Sequence, residues 1–272
     1  LIKAHHREGR IDESLCVLNR ALDLFPGDSS LHKLKCSYAL DIAESMLSDG
    51  RTDEAIKLLS GDDFSGPFRV KVKLRLEKIF CTEGDLGKAI SVLEQELKIS
   101  NSNIIYLRLG KLYFDAGKIR ESIETLEAGL NHHPEDPRLL VQLGMRKYLD
   151  LDVEATDKIW TKLLELHPTN GYVIRSIIGN LNSRRQFLKA AQVARSAFEV
   201  GITESIAFDV MMSAIIRVSP TTDEVMNFLD GLGDSVKELI KENYSNALIV
   251  DAQGDTPGAI EIVNSAMESQ PV

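Results

Sequence analysis

Between Tyr106 and Ala116 the apolar residues Leu109, Leu112, Tyr113 and Ala116 fall at i, i+3, i+4 and i+7. That spacing gives a helix with one buried stripe. Similar stripes run along most of the chain, and their interruptions are regular. Gly50, Gly84 and Gly117 stand where one helix of a pair must end, because glycine reaches left-handed backbone cheaply. Pro134 and Pro168 stop the following helix, each lacking an amide donor and restricting the residue before it. Asp136-Pro137 and Thr256-Pro257 read as an N-cap followed by proline in the first helical turn. The pattern predicts an all-α chain of helix pairs.

The pairs repeat. Small or polar residues recur at Ser14, Ala55, Ala89, Ser122, Thr156 and Ala190, in steps of 41, 34, 33, 34 and 34 residues. Pro134 and Pro168 keep the same step of 34. A period near 34 implies stacked helical hairpins, each burying its apolar face against its neighbours. The small residue on the second helix lets it approach the first closely, and Gly110 and Gly144 do the same from the other side.

The segment from Asn103 to Asp136 reads Tyr106, Leu109-Gly110, Tyr113, Gly117, Ser122, Leu126, Gly129 and Pro134. The next repeats it with Leu140, Leu143-Gly144, Thr156, Trp160 and Pro168. This resembles the tetratricopeptide pattern, and the likeness extends over essentially the whole chain. It implies an all-α solenoid of stacked antiparallel hairpins, a right-handed superhelix whose first helices line a concave groove. Residues 1–272 register as a single solenoid of seven to eight repeats, the first truncated and those at about 28–66 and 204–235 degenerate. The step of 41 adds seven residues, about two helical turns, and the helix after it is expected to break early, at Gly61–Pro67. Leu1 falls mid-helix in this register, so the chain reads as a piece of a longer protein. Its terminal hairpins, including Ala266, are expected to expose apolar surface able to self-associate.

Charge adds one feature. The net charge is −9, which argues against bulk electrostatic binding of nucleic acid. Yet the positions that the resemblance assigns to the groove hold Lys71, Arg75, Lys78, Arg108, Lys111, Arg138 and Arg175, opposed there by Asp115. Glu94, Glu96, Glu121, Glu124 and Glu127 lie on second helices and are expected on the outer face. A basic groove in an acidic body suits an acidic protein or peptide segment. The family's carboxylate clamp is matched only by the Lys71-xxx-Arg75 element; its asparagine positions are not, so a true clamp is not expected. Residues 206–218 are apolar nearly all round. Such a helix is ordinarily buried, but Ile206, Val210 and Ile216 would otherwise form an apolar floor to the groove.

Chemistry is sparse. Gly84–Lys88 is too short for a phosphate loop, and Gly231-Leu232-Gly233 lacks the third glycine of a dinucleotide site. No cofactor or catalytic residue is expected. His133 and His167 share one repeat position before a proline, which reads as repeat echo and not metal ligation, and Trp160 reads as core. Cys16, Cys36 and Cys81 show no paired spacing and are expected to be reduced thiols, which leans towards a cytoplasmic compartment. No apolar run approaches the length of a membrane span. The expected function is a protein-interaction scaffold that holds a partner segment. Two alternatives stay open: a docking or regulatory region of an enzyme whose catalytic domain lies elsewhere, and an RNA-binding helical repeat of similar period.

Overall fold

The computed structural model describes residues 11–200 apart from 62, 63 and 65, together with 214, 218, 257 and 258. Among them 81% are helical, and no strand occurs. Eleven helices follow one another: α1 (Ile11–Leu24), α2 (Ser29–Ser48), α3 (Thr52–Ser60), α4 (Gly66–Thr82), α5 (Leu86–Leu97), α6 (Asn103–Asp115), α7 (Ile119–His132), α8 (Pro137–Leu149), α9 (Val153–Leu166), α10 (Gly171–Ser183) and α11 (Phe187–Glu199). The chain divides into two compact units, Leu1–Leu139 and Leu140–Val272.

In the first unit α2 pairs with α3, α4 with α5 and α6 with α7, and α4 also packs on both members of the preceding pair. One buried core runs through these pairs, from Ala39 and Ala43 on α2 through Leu76 and Ile79 on α4 to Leu109 on α6. The small residues sit at the closest approaches. Ala55 and Ala89 have no exposed surface, and the buried Ser122 hydroxyl donates to the Gly110 carbonyl oxygen at 2.6 Å. A Cβ on Gly129 would stand 2.9 Å from the Tyr106 side chain, so glycine is required for α7 to lie this close to α6.

The seven extra residues go where the register places them. Helix α2 has 20 residues against 13 in α6, α8 and α10, a difference of two turns. Its partner α3 stops after nine residues at Gly61. The expected cap before α8 is also present: Asp136 Oδ1 accepts from the Arg138 and Leu139 amides at 2.8 and 3.0 Å. Thr256 lies outside the described residues.

In the second unit α10 pairs with α11, and α9 touches α10. Trp160 on α9 occupies the space that Gly144 leaves on α8: a Cβ there would meet the indole at 2.8 Å. The indole N–H donates to Asn180 Oδ1 at 3.0 Å, so its one polar atom is satisfied inside the core.

The turns within hairpins carry a regularity that the sequence concealed. Gly50, Gly84 and Gly117 have φ of 75, 78 and 76°. The two positions that continue the series are Leu151 at 63° and Arg185 at 56°. Their turns close in the same backbone shape without glycine, at a cost of about 1–2 kcal/mol each.

Candidate partner-binding surface

The basic residues of the first unit lie on consecutive first helices. Lys71, Arg75 and Lys78 on α4 are four and three residues apart, which places them on one face. Arg108 and Lys111 on α6 repeat Arg75 and Lys78 at a distance of 33 residues. Arg138 is in the first turn of α8, where Asp136 accepts from Asn103 Nδ2 of α6 at 2.6 Å. Burial works against the Asp136 charge, but the hydrogen bonds from Asn103 and from the Leu139 and Arg138 amides hold its pKa below the usual range. Arg175 is exposed on α10, in the second unit. Ile206, Val210 and Ile216 lie outside the described residues.

Two of these arginines, Arg75 and Arg108, are engaged by acids that lie outside the assigned groove positions. Arg75 Nη2 donates to Glu44 of α2 at 2.5 Å, and Arg108 Nη2 to both carboxylate oxygens of Glu77 of α4 at 2.7 and 2.9 Å. Each pair spans 31 residues and ties one first helix to the next. Glu77 is 1% exposed and stands at the repeat position of Gly110 and Gly144. The Cys81 thiol, one helical turn on, donates to Glu77 at 3.2 Å. Burial, reinforced by that hydrogen bond and by the Glu77 charge, pushes the Cys81 pKa up to about 11.

A different set stays outside these pairs. Lys71, Lys78, Lys111 and Arg138 are exposed, and among the described residues no ion pair holds any of them. Ile104 sits at the repeat position shared by Lys71 and Arg138 and is 44% exposed, an apolar spot within the basic stripe. The signals for this pattern were in the sequence: Glu44 and Glu77 recur 33 residues apart in step with Arg75 and Arg108. Their reach across helices was not.

The second helices need one correction. Glu94, Glu121, Glu124 and Glu127 are exposed as expected, but Glu96 is 1% exposed. Arg69 Nε of α4 donates to it at 2.8 Å, so this acid belongs to the packing of α4 on α5. Glu94 accepts from the Tyr113 hydroxyl, and burial followed by that carboxylate pushes the Tyr113 pKa up to about 12.

The other candidates resolve into packing. A His133 ring nitrogen meets the Asn101 carbonyl oxygen at 2.5 Å, and His132 stacks on Tyr106 with ring centres 6.0 Å apart. The three cysteines are free thiols: Cys36 is buried, Cys81 half-buried and Cys16 exposed. No described helix is long and apolar enough to cross a membrane.

No family model matches the chain, and no curated protein matches it. Solved structures do. Yeast Tom70 superposes with a TM-score of 0.58 at 15% identity, over 96% of this chain and 55% of that one, so the chain spans about half of Tom70. A tetratricopeptide repeat protein from Parabacteroides merdae superposes with a TM-score of 0.50 at 12% identity, over 87% of this chain and 93% of the other. MamA from Desulfovibrio magneticus is similar over 62% of the chain, at 17% identity and a TM-score of 0.45. For Tom70 and the Parabacteroides merdae protein the likeness, at such identities, is one of fold, and it agrees with the hairpin period, the close small-residue contacts and the glycine turns. The chain has the tetratricopeptide-repeat fold, an all-α array of antiparallel helical hairpins.

Proposed function

We propose that the chain is a protein-interaction scaffold whose first unit holds an acidic partner segment against α4, α6 and the start of α8. The observation that carries this reading is the set of exposed cations without ion pairs, Lys71, Lys78, Lys111 and Arg138, in a chain of net charge −9. Such a stripe steers an acidic segment in, while the acidic surface elsewhere on the protein repels it. Ile104 adds an apolar contact, which favours a segment with at least one apolar side chain among its carboxylates. Arg75 and Arg108 shape this surface by bracing consecutive first helices, while the four free cations meet the partner. Arg175 belongs to the second unit and lies outside this reading.

The test follows from that division of labour. The double variant Lys78→Glu/Lys111→Glu leaves both arginine pairs in place. A fluorescent glutamate-rich peptide carrying one leucine, titrated by anisotropy, should bind it at least tenfold more weakly than the parent. The difference should shrink as salt rises and screening sets in. Equal affinity for both proteins would remove the acidic-segment reading.

A further inference from the structure

Residues 149–154 read Leu-Asp-Leu-Asp-Val-Glu, a strict alternation of apolar and acidic side chains across the turn from α8 to α9. All six are exposed, with Leu149 at 47%, Leu151 at 85% and Val153 at 44%. The corresponding turns, Ser48–Asp53, Thr82–Gly87, Asp115–Arg120 and Ser183–Leu188, carry no such triplet. Leu151 contributes nothing to the core, and it occupies the left-handed position that glycine fills in three other turns. It therefore adds backbone strain and exposes apolar surface at once, which folding alone does not explain.

The turn stands on a fixed base. In the neighbouring turn, Arg184, only 6% exposed, lies over the Tyr148 ring at 5.8 Å and donates to Asp157 of α9 at 2.5 Å. Asp152 Oδ1 accepts from the Ala155 amide at 3.1 Å, which closes the first turn of α9. Lys158 offsets Glu154 at 2.6 Å, so Asp150 and Asp152 give the tip its negative charge.

We propose that the turn 149–154 is a second docking surface, taking a partner segment whose apolar side chains are flanked by lysine or arginine. Leu149, Leu151 and Val153 supply the apolar contact, and the acids between them select basic flanks and repel acidic ones. Its charge preference is opposite to that of the stripe on the first unit, so the two surfaces accept different partners. The proposal does not depend on the acidic-segment reading.

A fluorescent peptide of alternating leucine and lysine provides the test, with a serine–lysine peptide of equal charge as its comparison. Anisotropy titration should show saturable binding of the leucine peptide and at least tenfold weaker binding of the serine peptide. Leu151→Gly/Val153→Ser should lose at least tenfold in affinity while keeping the helical circular dichroism and cooperative melt of the parent, showing that the fold is intact. Lys78→Glu/Lys111→Glu should leave this binding within twofold. Failure of the parent to bind the leucine peptide would overturn the proposal, as would equal binding of the two peptides. So would an unchanged affinity in the Leu151→Gly/Val153→Ser variant. Concentration-dependent dimerisation that Leu151→Gly abolishes would assign the surface to a second copy of this chain and overturn it too.

Discussion

The α4–α6 region and the α8–α9 hairpin fill one repeat position in opposite ways. At Gly144 the first helix gives up its side chain, and the Trp160 indole takes the space. At Glu77 the first helix keeps a long charged side chain, buried to 1%, and directs it to Arg108 on the next first helix. One solution joins the two helices of a hairpin by apolar packing, and the other joins successive hairpins by an ion pair. A shared period fixes where the helices lie, and it leaves open which neighbour each position serves.

Overpacking the first solution gives the largest expected effect. Gly144→Val drives branched carbon into an indole that a single Cβ already meets at 2.8 Å, and should destabilise by about 3 kcal/mol in chemical denaturation. Gly110→Ala is the milder counterpart. Its Cβ meets the Leu126 side chain at 3.0 Å, and relief of the helical glycine penalty, about 1 kcal/mol, offsets much of the crowding. If the two substitutions cost the same, the indole is not what sets the α8–α9 spacing.

Breaking the second solution comes next. Arg108→Ala strands a buried carboxylate and should cost about 2 kcal/mol, below the range for a fully buried pair because Arg108 is 39% exposed. Glu77→Gln should cost less, since the amide can still accept from Arg108 without burying a charge. Equal losses in the two variants would show that a stranded buried charge is not what makes the pair costly to break.

The turns extend the comparison at a smaller scale. Leu151→Gly should stabilise by about 0.5–1 kcal/mol, the relief of left-handed strain less the greater unfolded-state freedom of glycine. Thermal melts of the variant beside Gly117→Ala, expected to shift the opposite way, check the sign.

Thiol reactivity sharpens the picture of Glu77. Cys81, with a pKa raised to about 11, stays protonated through the neutral range. Because its folded pKa is raised, its contribution to stability is fully present below the usual thiol value near 9 and declines as pH rises towards 11. At pH 8, iodoacetamide should label the exposed Cys16 well before Cys81, as followed by peptide mass. Glu77→Gln should speed Cys81 labelling, because it removes the negative charge that opposes the thiolate. No acceleration would mean that burial alone protects it.

Much of the fold is legible in the sequence. Small residues at Ala89 and Ser122, glycines at positions 84 and 117 and prolines at 134 and 168 each perform a local task that few residues can perform. Such positions recur wherever the task recurs, so their spacing displays the hairpin period directly. The shared face of Lys71, Arg75 and Lys78 on α4 was legible from helical spacing, since residues three and four apart are neighbours. Glu77, Glu96 and Leu151 were not. Nothing local distinguishes a glutamate that crosses to the next hairpin from one that faces water, and Leu151 breaks the glycine rule that would have marked its turn.

The sequence by itself determined the repeat, the helix pairs, the two-turn extension of α2 and the candidate basic positions. These follow from helical geometry and from the few residues that close approaches and left-handed turns accept. Only the tertiary structure decided which charges are engaged inside the array: Arg75, Arg108 and Arg69 on Glu44, Glu77 and Glu96, with Lys71, Lys78, Lys111 and Arg138 left outside those pairs. Each of those ion pairs spans 27 to 31 residues. The match of an acid to its arginine is therefore set by how one helix leans on another, a distance that the order of residues along the chain does not contain.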